Sequence, residues 1–165
     1  MHVRPFESRD AACLADIFFS AVHDIAAGHY SDEQIRAWAP MIPDPSVFVA
    51  RNTDGRTLLV AVDENDIPLA YGDLERDGHI DHLYCRPDVA GTGVAVQLYR
   101  ALEGVAREQQ NPLVYVEASE PARRFFGRQG FQVIARREIE LGGVRIYNFR
   151  MEKQLRPETE EWLPG

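Results

Sequence analysis

The segment that most constrains the fold is a short glycine-bearing loop at residues 90–95, Ala-Gly-Thr-Gly-Val-Ala, which separates two apolar patterns of different period. Before it, residues 80–85 are rich in strand formers. After it, residues 92–108 place apolar side chains at helical spacing, and residues 113–116 form another short apolar run. Strand, turn, helix and strand in this order predict a crossover unit, in which the helix packs on a sheet.

The rest of the chain surrounds this unit with alternating strand and helix patterns. Serines before apolar runs are good helix N-caps, and polar or Gly-Gly turns between short apolar runs indicate antiparallel hairpins. In chain order we predict a strand at 2–6, a helix from Ser8 to Ile25, a helix from Ser31 to Trp38, strands at 58–62, 67–74 and 80–85, the helix at 92–108, a strand at 113–116, a helix from Ser119 to Gly130, and strands at 133–141 and 144–151.

Composition is typical of one globular domain. The chain has 165 residues, of which 45% are hydrophobic and 27% charged, enough for a core without disulfides or a structural metal. Only two cysteines are present, which favours reduced thiols and a cytoplasmic location. No apolar run approaches the roughly 20 residues that a membrane helix needs, so we expect no membrane association.

Charge is unevenly distributed. The net charge of −8 argues against nucleic acid as a partner, because such binding depends on neutralising phosphates. Residues 1–85 hold 6 Lys/Arg against 15 Asp/Glu, whereas residues 86–165 hold 12 against 11. The acidic excess therefore lies entirely in the first half of the chain.

Three segments follow one another along the chain: residues 82–88 (His-Leu-Tyr-Cys-Arg-Pro-Asp), the loop at 90–95 with its helix, and residues 117–131, which end in Gly-Phe. In this order and spacing they resemble the GCN5-related N-acetyltransferase (GNAT) superfamily, and the likeness covers essentially the whole chain. The resemblance implies an α+β fold of three layers, with a mixed central sheet of about seven strands. That sheet is expected to be largely antiparallel with one parallel pair and to carry helices on both faces. We place the domain at 1–153 and a C-terminal tail at 154–165.

The resemblance also implies acetyl-CoA as the cosubstrate. Backbone N–H groups at a helix start form an anion site, so the loop is expected to hold the pyrophosphate, and backbone groups of Leu83 and Cys85 to hold the carbonyl and pantetheine arm. The residues expected to bind acetyl-CoA are Leu83, Tyr84, Cys85, Ala90, Gly91, Thr92, Gly93, Val94, Ala95, Ser119, Ala122, Phe125 and Phe126. Arg123, Arg124 and Arg128 are candidates for the 3′-phosphate.

Two positions depart from the family pattern. The loop begins with Ala90 where members usually have Gln or Arg, a loss that backbone contacts tolerate. Phe126 stands where many members have a tyrosine that protonates the departing thiolate, so that role does not transfer.

Acetyl transfer to an amine needs a base that removes a proton from the amine. Asp81 is the first candidate, because it occupies the position of the catalytic glutamate in histone-acetylating members. Glu75 is the second, acting directly or through a water, and His82 the third. Asp81 and His82 are neighbours on a strand, so their side chains are expected on opposite faces.

The leaving thiolate needs a proton donor or loss to water. Tyr84, Tyr99, Tyr115 and Tyr147 each offer a phenol, and we choose Tyr147 because the last strand lies on the expected acceptor side.

No metal is expected. His79 and His82 are three apart on a strand, which puts them on opposite faces. Cys85 is interpreted as a packed thiol rather than an acyl carrier.

The acceptor is expected to be a cationic primary amine, since the acidic first half builds the acceptor side in this family. His29, Tyr30 and Trp38 are candidate wall residues.

The alternative hypothesis is a non-catalytic acyl-CoA-binding sensor or interaction module. A dinucleotide-binding oxidoreductase is disfavoured because the loop follows three antiparallel strands. A homodimer that pairs the final strands stays an open alternative.

Overall fold

Seven strands and five α-helices make up residues 1–155, the part of the chain that the computed structural model describes. The strands are β1 (His2–Pro5), β2 (Thr57–Val62), β3 (Pro68–Leu74), β4 (Leu83–Cys85), β5 (Leu113–Ala118), β6 (Gln132–Leu141) and β7 (Val144–Gln154). The helices are α1 (Ala11–Ser20), α2 (Asp32–Trp38), α3 (Ser46–Arg51), α4 (Val94–Glu108) and α5 (Glu120–Arg128). Both predicted hairpins, β2–β3 and β6–β7, are confirmed as antiparallel pairs.

The strands form two antiparallel sheets rather than one continuous sheet. The first has the order β1-β2-β3-β4 and the second the order β5-β7-β6. Between them, the predicted parallel pair shrinks to a single bridge between His79 and Tyr115. The physical reason is that the next two N–H groups, of Asp81 and His82, donate to the Asp73 carboxylate at 3.0 and 2.9 Å. Strand β4 therefore starts only at Leu83 and diverges from β5.

Helices cover both faces of the first sheet, as the predicted three-layer α+β class requires. On one face, α1 and α3 bury Leu14, Ile17 and Phe48 against Val60 and Tyr71. On the other face, α4 packs its buried stripe on the sheet; the stripe consists of Leu98, Tyr99, Leu102 and Ala106. Two of the three predicted helix caps are confirmed. Ser31 accepts from Gln34 N at 3.1 Å, and Ser119 accepts from Ala122 N at 3.4 Å.

The first helical segment is less regular than predicted. Ser8 is not its cap, because Glu7 precedes the first turn and donates its N–H to the Asp10 carboxylate at 2.8 Å. After α1 the chain continues through a π-helical stretch, Ala21–Ile25, and a 3-10 turn. By length and composition alone, Ser8–Gly28 is long and apolar enough to cross a membrane. In this fold its apolar residues, including Leu14, pack against the sheet.

Other boundaries differ from prediction for local reasons. Helix α3 was not expected, because the prolines around it, including its N-cap Pro45, indicated an irregular connection. Helix α4 starts at Val94 rather than Thr92, since Gly93 is its N-cap in a left-handed conformation. Strand β7 runs to Gln154, one residue past the predicted domain end. The rest of the predicted tail, from residue 156 onward, lies outside the described residues.

Candidate active site

The loop before α4 leaves a set of backbone donors free. Gly91 and Gly93 have φ of 78° and 92°, values that favour glycine. Within residues 1–155, the N–H groups of Gly91, Gly93, Val94, Ala95 and Val96 have no protein acceptor. Five free donors at the positive end of a helix form a binding site for an anion such as a phosphate.

A long groove of about 320 Å³ leads away from this loop, between strand β4 and helix α5. We call it the long groove. Ten of the thirteen residues predicted to bind the cosubstrate line it: Leu83, Tyr84, Cys85, Ala90, Gly91, Ala95, Ser119, Ala122, Phe125 and Phe126. Its other walls come from the π-helical stretch and α4, including Val22 and Leu98. The groove is therefore mainly apolar, with the free N–H groups at one end.

The other three predicted residues lie beside the groove rather than along it. The Thr92 hydroxyl donates to the Val89 carbonyl at 2.5 Å, Gly93 caps α4, and the side chain of Val94 is buried in the core. Among the candidate arginines, Arg128 lines the groove, whereas Arg123 lies over the Phe149 ring at 4.5 Å. Arg124 does not line it.

Two smaller cavities adjoin the long groove where β4 and β5 diverge. A junction cavity of about 60 Å³ lies between these strands. A side pocket of about 170 Å³ lies beyond it, against the β6–β7 hairpin. Trp38, Tyr84 and Ser119 line all three spaces, and Asp81 and Glu117 line both the junction cavity and the side pocket. A ligand in the long groove and one in the side pocket would thus meet beside two carboxylates.

Asp81 is tied to two arginines as well as facing the junction. Arg51 donates to its Oδ2 at 2.6 Å, and Arg56 lies 3.4 Å from the same atom. Both arginines also bind the fully buried Asp73. Burial acts to raise the pKa of Asp81, but the hydrogen bond from Arg51 outweighs it and holds the pKa below its usual value. A carboxylate with a lowered pKa is a weak base.

Glu117 is the residue that sequence reasoning missed. The predicted strand ended at Val116, but β5 continues to Ala118, and its alternating burial turns Glu117 away from the core. Its Oε2 is hydrogen-bonded to His79 Nε2, and its Oε1 lies 3.7 Å from Arg137. The sequence signal for it is weak, because residues 113–116 form one apolar run and Glu117 is the single charged residue of the strand.

The comparisons with known proteins agree on one family. Residues 26–153 match the family model described as an acetyltransferase (GNAT) domain. This chain belongs to the GNAT acetyltransferase family.

Individual relatives support the assignment of the GNAT family. The chain is 30% identical to the uncharacterized N-acetyltransferase YafP of Escherichia coli K12, over 92% of this chain and 94% of YafP. A crystal structure from Rhodopseudomonas palustris, described as a GCN5-related N-acetyltransferase (aminotransferase, class-II), is 34% identical with a TM-score of 0.86, covering 93% of this chain and 95% of that one. The putative acetyltransferase YncA of Salmonella typhimurium, solved with acetyl-CoA, shares the fold at 21% identity and a TM-score of 0.71, covering 95% of each chain.

Neither His82 nor Glu75 lines the junction cavity of this GNAT domain. The His82 ring stacks on Phe18, and its Nδ1 is 2.9 Å from the Tyr71 hydroxyl. Burial lowers the pKa of His82 to about 4, so it is neutral at pH 7. As predicted from their alternation, Asp81 and His82 point to different surroundings. Glu75 lines a separate surface hollow beside Asp54.

The four candidate phenols lie in different environments. Tyr84 lines the junction, whereas Tyr147 lines the side pocket alone. Tyr99 donates to Glu103 at 2.8 Å and Tyr115 donates to Asp77 at 2.5 Å, so both phenols are already engaged elsewhere. Phe126, in place of the family tyrosine, is buried between the long groove and the core.

Two other predictions concern the Cys85 thiol and the absence of a metal site. Burial raises the pKa of the Cys85 thiol, which disfavours the thiolate that acyl transfer through cysteine would need. Potential ligand atoms of Glu75, His79 and Asp81 lie within 4.8 Å of one another. Both ring nitrogens of His79 are, however, hydrogen-bonded to Glu75 and Glu117. Neither nitrogen is then free to bind a metal.

Proposed function

We propose that this GNAT protein transfers an acetyl group from acetyl-CoA to a cationic primary amine by direct attack. The observation that carries the proposal is that the long groove and the side pocket share Trp38, Tyr84 and Ser119 as walls, beside the carboxylates of Asp81 and Glu117. A donor in the groove and an acceptor in the pocket would place their reacting atoms at this junction.

The long groove suits the chemistry of coenzyme A. The free N–H groups of Gly91, Gly93 and Ala95 would hold the pyrophosphate without any basic side chain. Next to them, β4 pairs with β3, partly through backbone groups of His82 and Arg86, and no other strand of residues 1–155 pairs with it. Because bonding alternates along a strand, Leu83 and Cys85 direct their N–H and C=O groups to the open edge, where an amide-bearing pantetheine arm could bind.

The carboxylates at the junction would receive the amine. When bound, acetyl-CoA supplies the acetyl group as a thioester, whose carbonyl carbon forms the new C–N bond while the C–S bond breaks. Glu117 would accept the first proton that the ammonium group loses, because its arginine contacts, 3.7 Å to Arg137 and 4.0 Å to Arg150, are longer than the 2.6 Å contact between Asp81 and Arg51. Asp81 would then contribute by attracting the cation. Asp81 thus moves from first-choice base to a binding residue.

A phenol at the junction would protonate the leaving thiolate, and the second proton that the nitrogen loses as the amide forms would return to that phenolate. Tyr84 is the candidate because its side chain lines the junction cavity; burial raises its pKa, so it is protonated at neutral pH but is a weaker acid than a free tyrosine. Tyr147 is less suited, because it lines the side pocket and does not line the junction cavity. Tyr84 would therefore replace the family tyrosine that Phe126 removes.

A thiol-release assay tests the proposed function. Purified protein with acetyl-CoA should release free thiol when a suitable primary amine is added. Glu117→Gln should lower kcat/KM by about 10²–10⁴-fold, the usual contribution of a general base, without changing the affinity for coenzyme A. The control is Glu138→Gln, which neutralises an exposed glutamate paired with Arg136 on β6.

The other outcomes separate the alternatives. Binding of coenzyme A without thiol release from any amine would support a non-catalytic acyl-CoA-binding module, as Phe126 first suggested. Full activity of Glu117→Gln would show that Glu117 is not the base. Absence of coenzyme A binding would contradict both functions.

A further inference from the structure

The side pocket is small, partly open and lined by bulky side chains. Its volume of about 170 Å³ is well below the roughly 300–1,000 Å³ of pockets for drug-sized ligands. Four aromatic residues line it, namely Tyr30, Trp38, Tyr84 and Tyr147. The part of an acceptor that the pocket can enclose is therefore about one ring or a short chain.

The side of the pocket that the β6–β7 hairpin forms is charged near the junction and apolar further out. Arg137, Ile139 and Leu141 alternate along β6, so their side chains share one face of the strand. Arg137 lies 3.7 Å from Glu117 at the junction end. Ile139 and Leu141 line the pocket further out, where Ile146 on β7 pairs with Ile139.

Asp81 and Glu117 are the acidic residues among the described residues that line the pocket, and both also line the junction cavity. Each already has an arginine partner, Arg51 at 2.6 Å from Asp81 and Arg137 at 3.7 Å from Glu117. The charge of both carboxylates is thus largely balanced, which disfavours binding of more than one ammonium group. Further out, a second ammonium group would face Ile139 and Leu141, and the buried acceptor that also lines the pocket, Asn148 Oδ1, is neutral.

We propose that the acceptor is a small primary amine with a single positive charge, carried on an aromatic ring or a short hydrocarbon chain. The amine would lie between Asp81 and Glu117, and the apolar body against Ile139, Leu141 and the aromatic walls. This inference rests on the proposed function and narrows its acceptor. It excludes polyamines and aminoglycosides, which carry further ammonium groups, as preferred substrates.

The first test ranks acceptors with the wild-type protein. We expect kcat/KM for 2-phenylethylamine to exceed that for 1,4-diaminobutane and spermidine by at least tenfold in the thiol-release assay. A preference for either polyamine, or for a lysine-bearing peptide, would overturn the inference while leaving the proposed acetyl transfer intact. Thiol release with none of these or other amines would instead contradict the proposed function.

The second test adds a negative charge at the outer end of the pocket. Leu141→Glu should raise the ratio of kcat/KM for 1,4-diaminobutane to that for 2-phenylethylamine at least fivefold, because the new carboxylate would meet the second ammonium group. Leu141→Gln is the matched control, equal in size but neutral, and should leave diamine turnover low. Equal ratios in the two variants would show that the acceptor body does not lie along Leu141.

Discussion

At the junction, the chemical role of each carboxylate depends on the side chains that it contacts. Asp81 and Glu117 both line the junction cavity and the side pocket, yet Asp81 binds Arg51 and Arg56, whereas Glu117 binds His79 and lies near Arg137 and Arg150. Arginine stays charged at any practical pH, whereas histidine can lose its proton. Glu117 is therefore the carboxylate of the two that has a hydrogen-bond partner, His79, whose charge can change with pH.

His79 should make stability depend on pH. Burial lowers the pKa of His79, but hydrogen bonds to Glu117 and Glu75, with the charge of Asp81 nearby, outweigh burial and raise it. A raised pKa means that the stabilisation is complete below about pH 6.5 and is lost as pH rises through the folded-state value. We expect the difference in unfolding free energy between wild type and His79→Gln to be largest near pH 6 and to shrink toward pH 9, as measured by urea denaturation.

A variant that removes one of the two carboxylates bonded to His79 provides the control. Glu75→Gln takes away the carboxylate 2.9 Å from Nδ1 and leaves Glu117 in place, so its pH-dependent loss should be smaller than that of His79→Gln. If the difference in unfolding free energy between wild type and His79→Gln stayed constant from pH 6 to pH 9, the prediction that folded His79 is charged at pH 6 would be wrong.

At the scale of elements, the start of helix α4 supplies the donor site through its backbone alone. The loop residues are exposed, and a Cβ added at Gly91 or Gly93 would meet no atom within 4 Å. These glycines are thus required by their positive φ, not by a lack of space. The resulting geometry points free N–H groups toward the end of the long groove.

A negative charge at this helix start should separate coenzyme binding from folding. Ala95→Asp places a carboxylate in the first turn, where the helix dipole stabilises it, but where it repels a pyrophosphate. We expect the dissociation constant for coenzyme A to rise at least tenfold, about 1.4 kcal/mol, with the melting temperature of the free protein unchanged or higher. Calorimetric titration gives the first quantity and thermal denaturation the second.

The neutral counterpart isolates the charge. Ala95→Asn has nearly the same shape as the aspartate variant and should weaken binding far less. Equal affinities of the two variants would place the pyrophosphate somewhere other than this loop.

For the molecule as a whole, the contact between the two sheets determines where the site opens. Tyr115 accepts from Ile80 N at 2.9 Å and donates its N–H to the Gly78 carbonyl at 3.0 Å. Past this point, β4 follows β3 and the junction cavity opens between β4 and β5. The two sheets are thus joined by the contact between residues 78–80 and Tyr115, which we call the seam, and they separate into a cleft beyond it.

Substitution of Gly78 should destabilise this seam. Gly78 has a φ of 97°, and a Cβ there would collide with the carbonyl oxygen of Leu113 on β5. We expect Gly78→Ala to lower the unfolding free energy by about 1–3 kcal/mol, the usual cost of such backbone strain. Gly104→Ala, on the exposed face of α4 with nothing within 4 Å, should raise it by roughly 0.5–1 kcal/mol. Urea midpoints that do not separate the two variants would contradict this account of the seam.

The sequence by itself determined the elements whose signals are local. Helical and strand periods, the capping serines Ser31 and Ser119, and the hairpin turns predicted most of the fold. The glycine loop, with the segments around it, predicted the family and most residues of the long groove. Such signals depend on neighbours within a few residues, so they can be read without the fold.

Only the tertiary structure decided which groups meet at the reaction site. The Asp73 carboxylate binds the N–H groups of Asp81 and His82, and this contact ends the parallel pairing, opens the junction and exposes Glu117. The side pocket likewise joins Trp38 from an early helix to Leu141 from the last hairpin. Sheet order and strand divergence bring these distant residues together, and neither is encoded in the period of any one segment.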